Sequence, residues 1–89
     1  MDEFDWDDAN EDHIARHGVT RKEAEQAYLD PNKRGISIAK RATEPRWALI
    51  GKTESGRVLS LIYTLRQEYV RIITAYDANQ SEKKYYKRK

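Results

Sequence analysis

Val58-Leu59-Ser60-Leu61-Ile62-Tyr63-Thr64-Leu65-Arg66-Gln67-Glu68-Tyr69-Val70-Arg71-Ile72-Ile73-Thr74-Ala75 holds two runs rich in β-branched and aromatic residues, joined by a short polar connection. Such runs are strands, and the three residues Arg66-Gln67-Glu68 are a hairpin-length link although they lack glycine. In the first run Leu59, Leu61, Tyr63 and Leu65 alternate with Val58, Ser60, Ile62 and Thr64. Both faces are therefore fairly apolar, which predicts a central strand with helices over one side. Working toward the N-terminus, Trp47 and Leu49 alternate with Ala48 and Ile50 before Gly51, and Glu54-Ser55-Gly56 forms a loop. Earlier still, Ile36 and Ile38 alternate with Ser37 and Ala39. Four strands in a row with short links make an antiparallel meander.

The chain before residue 31 has helical punctuation instead. Asp8-x-x-Glu11 fits a capping box for a helix running through Arg16 and His17, and Gly18 suits its left-handed end. Thr20-x-x-Glu23 caps a second helix carrying Ala24, Ala27 and Tyr28, which Pro31 stops near Asp30. Phe4 and Trp6 alternate in a short strand before it, and Asn79-x-x-Glu82 caps a last helix that carries Tyr85 and Tyr86 and frays into Lys87-Arg88-Lys89. The fold expected is α+β in one domain over residues 1–89: a short N-terminal strand, two helices, a four-stranded antiparallel meander and a C-terminal helix. One sheet face is covered and the other can stay open to a ligand.

At 89 residues the core is small enough that a partner's help is plausible. Cysteine is absent, which removes disulfides, thiolate metal sites and a cysteine nucleophile, and suits a reducing compartment; the cytoplasm is expected. The acidic start and the lack of a long apolar run imply no secretory signal and no membrane role. Residues 1–30 carry ten acids against three bases, and residues 31–89 carry five against fourteen. The basic remainder attracts phosphate backbones; an internal balance of charge explains the same pattern.

Several residues could carry chemistry. His13 and His17, four apart, could face the same way and hold a divalent ion, but nothing selects a third ligand, so no metal is assigned and a polar helix face accounts for them. His17 beside Gly18 sits where the helix dipole favours a protonated ring, as a proton-transfer group or as a cap. Cations fall at strand ends: Lys40, Arg41, Arg46, Lys52, Arg57, Arg66 and Arg71. A hairpin over Thr53–Gly56 would bring Lys52 and Arg57 near each other, where they could neutralise a phosphoryl transition state. Arg71 shares a face with Tyr69, Ile73 and Ala75 by strict alternation, and an arginine inside an apolar strand is usually paired or functional. For each cation, solvated surface is the rival reading. Trp47 and Tyr63 are assigned to the core; Tyr76, Tyr85 and Tyr86 remain for stacking on bases of single-stranded RNA.

Phe4-x-Trp6-Asp7, Asn10-x-x-His13-Ile14-x-Arg16-His17-Gly18-Val19, Glu23-Ala24, Leu49-Ile50-Gly51-Lys52-Thr53, Gly56-Arg57, Arg71-Ile72-Ile73-Thr74-Ala75 and Glu82-x-x-Tyr85 together resemble the BrnT-type toxins, small bacterial ribonucleases with a RelE-like fold. The resemblance implies cleavage of RNA by its own 2′-hydroxyl with no cofactor, and inhibition of translation. His17 would be the general acid or base, Lys52, Arg57 and Arg71 the phosphate-binding cations, and Tyr85 a stacking or proton-transfer group. Arg16 would contact backbone phosphate. It also implies a ribbon-helix-helix antitoxin, a complex of two of each, and promoter DNA bound through the antitoxin. Tyr76 stands where the family typically has arginine, and Lys52 often has arginine as its counterpart. These departures predict weakened catalysis, or for Tyr76 a stacking contact in place of a charge. The alternative is a catalytically weak or inactive nucleic-acid-binding module of a repressor complex.

Overall fold

The computed structural model describes residues 3–36 and 45–88. Its elements are β1 (Glu3–Phe4), α1 (Asp8–Ala15), α2 (Arg21–Leu29), β2 (Arg34–Ile36), β3 (Trp47–Lys52), β4 (Val58–Arg66), β5 (Tyr69–Asp77) and α3 (Gln80–Lys87). Ile38 and Ala39, expected in the first strand of the meander, and the cations Lys40 and Arg41 lie outside the described residues.

The meander is present: β2, β3, β4 and β5 pair antiparallel in chain order. The sheet has five strands in the order β1-β5-β4-β3-β2, with β4 in the middle as its two apolar faces require. It is mixed, because β1 runs parallel to β5, Glu3 opposite Tyr69 and Phe4 opposite Val70. The link between β4 and β5 is a two-residue turn, with Arg66 opposite Tyr69. Gln67 and Glu68 both take positive φ, 49° and 74°, the conformation of a type I′ turn that matches strand twist.

One N-cap differs from the spacing rules and two agree with them, and Gly18 closes α1 in the left-handed conformation expected of it. The α1 capping box is Asp7 with Asn10, one residue before Asp8-x-x-Glu11, because the Asn10 amide also donates to Asp5 O and to Ile72 O at 3.0 Å each. That fixes α1 on β5. α1 ends at Ala15, with Arg16 as its C-cap, so His17 lies beyond the helix rather than in its last turn. There Val19 N–H donates to Ile14 O and Gly18 N–H to Ala15 O, with Gly18 at φ +73°, a Schellman closure. Thr20–Glu23 and Asn79–Glu82 cap α2 and α3 as the sequence predicts.

α1 and α2 cover one face, burying Ile14, Val19, Ala24 and Ala27 against Leu49, Leu59, Leu61, Val70, Ile72 and Ala75. Two expectations fail on this face. Trp47 is 38% exposed, not core, although its ring stacks on the half-buried Tyr63 at 5.8 Å. Arg71 and Ala75 do not share a face, because β5 bulges: Tyr63 opposes Ile72 while Ile62 opposes Thr74. Ile73 is the extra residue, so the alternation slips, and Val70, Ile72 and Ala75 all reach the core while Arg71 points away.

Candidate functional site

The second sheet face carries Ile50, Ser60 and Tyr76, which oppose one another across β3, β4 and β5, and Arg71, opposite Thr64. α3 lies over part of it, with the Ser60 hydroxyl 3.4 Å from Glu82 Oε2. Along the β5 edge, α1 and the turn after it bring three rings into a row. His13 and His17 centroids are 5.7 Å apart, and His17 and Tyr76 are 6.1 Å apart. Both histidines are exposed and Tyr76 is half-buried. Next to this row is a hollow of about 260 Å³ lined by His13, Arg46, Thr64, Arg66, Arg71 and Ile73.

Arg71 is held in place. Its guanidinium lies 3.1 Å from Asp7 and 3.5 Å from Asp5, and only 13% of the side chain is exposed. The Asp7 hydrogen bond holds the guanidinium strongly protonated, and the same bond lowers the Asp7 carboxyl below its ordinary range. Alternation with Val70 and Ile72 points Arg71 to this side, and the bulge after it brings Tyr76 to the same face.

Arg57 occupies the end of the sheet, where β3 and β4 meet in the expected hairpin. Thr53 N–H donates to Arg57 O at 2.8 Å, and Gly56 takes φ +96°. Its guanidinium spans three groups: Nε and Nη2 donate to Asp77 at 2.7 and 3.1 Å, and Nη1 donates to Gly18 O at 2.8 Å and to Glu23 at 3.1 and 3.2 Å. Asp77 first, then Glu23, raise its pKa. The Lys52 side chain goes the other way, onto Tyr86 of α3, its Nζ 5.7 Å from the ring. The hairpin therefore does not combine the two cations toward one ligand.

Lys52 borders a different hollow, of about 460 Å³, with Arg34, Tyr86, Lys87 and Arg88. Tyr85 is at this edge too, its hydroxyl donating to Gly35 O at 3.1 Å and its ring 4.7 Å from the Arg34 guanidinium. Arg16 is exposed at the end of α1. So the structure gathers His17, Tyr76 and, through His13, Arg71. It places Lys52 and Tyr85 on the far side of α3 and gives Arg57 to protein groups.

Sequence reading weighed His13 only as half of a metal pair, and Arg46 and Arg66 only as scattered cations. What joins them is the register of β4 against β5 and the docking of α1, which no local spacing reports. Among the described residues no three His, Cys, Asp or Glu side chains converge as a metal site would require. No helix among them is long and apolar enough to cross a membrane.

The row can move protons, since imidazole nitrogens can both accept and donate them. The neighbouring cations can neutralise an anionic chain. A comparison with curated proteins finds no match. A family model, the ribonuclease toxin BrnT of type II toxin–antitoxin systems, matches residues 6–82, a span that takes in β5, both histidines and the first turn of α3. The chain therefore belongs to the BrnT family of ribonuclease toxins and has a cognate antitoxin as its partner.

Proposed function

We propose that this toxin is a metal-independent endoribonuclease working in the cytoplasm, with its reacting centre at the His13–His17–Tyr76 row. His17 takes the proton of the substrate's 2′-hydroxyl, whose oxygen attacks the adjacent phosphorus. The bond to the 5′-oxygen breaks, that oxygen receives a proton from His13, and a 2′,3′-cyclic phosphate remains. Arg71, with Arg46 and Arg66 beside it, neutralises the phosphate, and Tyr76 stacks on a base. Arg16 contacts the backbone, and Lys52 and Tyr85 hold nucleotides farther along the strand. The observation that carries this reading is that the only two histidines of the chain sit 5.7 Å apart beside an arginine-lined hollow.

For the partner, we propose a ribbon-helix-helix antitoxin, assembled as two of each chain and binding promoter DNA. The family match and the small core support an obligate partner.

The test uses purified toxin and RNA in excess chelator. Products with 2′,3′-cyclic ends are expected, and His17→Ala should lower turnover by about 100-fold or more while the fold survives. Intact RNA at high protein concentration would sink the proposal. Salt-sensitive binding without turnover would instead favour a binding module.

A further inference from the structure

The guanidinium of Arg57 has a geometry that a phosphate-binding cation does not need. It bonds Gly18, the chain neighbour of His17, and Asp77, the chain neighbour of Tyr76. Its third partner, Glu23, is the residue that closes the α2 capping box with Thr20. The turn holding His17, the start of α2 and the end of β5 thus meet on one side chain. Nε, Nη1 and Nη2 are each engaged by these protein groups. Three-quarters of the side chain is covered.

We infer that Arg57 is a positioning residue, which sets the approach of His17 to Tyr76 by tying together the two segments that carry them, through the Gly18 carbonyl and the Asp77 carboxylate, and that it does not contact substrate phosphate. This rests on the proposed role of His17 and changes the role that the family resemblance gives Arg57. Ties of this kind matter because proton transfer falls steeply with misplacement, where an error of about 1 Å can cost about 100-fold. A lysine cannot replace the tie, since a single ammonium cannot reach a carboxylate in bidentate fashion and also a carbonyl and a second carboxylate in the plane of one fork.

Two variants and two readouts decide the matter. Arg57→Lys keeps the charge and should lower kcat by about 10-fold or more with KM little changed. The salt dependence of RNA binding should stay as in the unaltered toxin. The ring resonances of His17 in the NMR spectrum should move, because its distance from Tyr76 changes. Asp77→Asn leaves the guanidinium charged but loosens one tie, and the two roles then differ in sign. A positioning residue predicts a lower kcat. A phosphate contact predicts tighter RNA binding, because a competing carboxylate has been removed. Tighter binding in Asp77→Asn with kcat unchanged, or a raised KM in Arg57→Lys with unmoved His17 resonances, overturns the inference. So do unaltered kinetics with unmoved resonances. The resonance measurement needs no turnover, so absence of cleavage by the unaltered toxin would refute the ribonuclease mechanism while leaving this question answerable.

Discussion

Gly51 shows how closely α2 lies on the sheet. A Cβ at this position would stand 2.0 Å from Ala27 O and 2.8 Å from Ala27 C. Both are backbone atoms of the last turn of α2, so neither can turn aside as a side chain could. Gly51→Ala must push α2 off β3, and by the cost of overpacking a tight core we expect a loss of about 3 kcal/mol, read as a fall in the urea midpoint. An unchanged midpoint would mean that helix and sheet have slack the packing does not show. The sequence marks a glycine in a strand but not what approaches it. Arg71 is a similar case, because its chemistry could be read from its placement in an apolar strand but not its side. Period-two alternation put it with Ala75, and one unannounced bulge residue, Ile73, put it opposite. Bulges without glycine leave little trace in composition, since they are fixed by the pairing of distant strands.

At the scale of elements, caps and hairpins were the most legible features because their signals are local. Thr20–Glu23 and Asn79–Glu82 were read directly. The shift to Asp7 was not, since it depends on the Asn10 contact to Ile72, 62 residues away. The connection after β4 was recognised by length alone, and its residues suit it poorly. Glutamate at φ 74° holds a left-handed backbone that glycine adopts freely. Glu68→Gly should therefore stabilise the toxin by about 0.5–1 kcal/mol, seen as a rise in Tm. A fall would show that the Glu68 side chain contributes more than its backbone costs. The ring row was less legible than these, because it joins a turn, a helix and a strand end.

Across the whole molecule, much of the charge asymmetry is used internally. The acidic third supplies Asp5 and Asp7 to Arg71, and Glu23 to Arg57. Hydrogen bonds and charge from these arginines help hold the Asp7 and Asp77 carboxyls below their ordinary range, and for Glu23 the Thr20 backbone bond comes first. Groups with depressed pKa values stabilise above the ordinary carboxylate range, and the contribution drains away as pH falls below about 4. At the other end, burial and then the 2.5 Å hydrogen bond to Asp30 push the Tyr86 phenol up to about 12. That raised value adds stability below the unfolded phenol's pKa near 10, and the contribution is lost as pH rises from about 10 to 12. Urea midpoints should thus form a plateau between these limits, and Tyr86→Phe should lessen the alkaline part of the decline, to which Tyr63, its phenol also raised by burial, contributes as well. A variant that declines unchanged would place the alkaline limit elsewhere.

The parallel pairing of β1 with β5 has a consequence for synthesis. Glu3 and Phe4 wait for Tyr69 and Val70, and α1 waits for Ile72 to dock. Pairings of such long sequence separation close late, because loop entropy opposes them until the rest is formed. His17 gains Tyr76 only when β5 is in place, so a nascent chain emerging from the ribosome carries no assembled ring row. On the proposed mechanism, the reacting centre assembles only after β5 has left the ribosome, which leaves the antitoxin an interval in which to meet the chain.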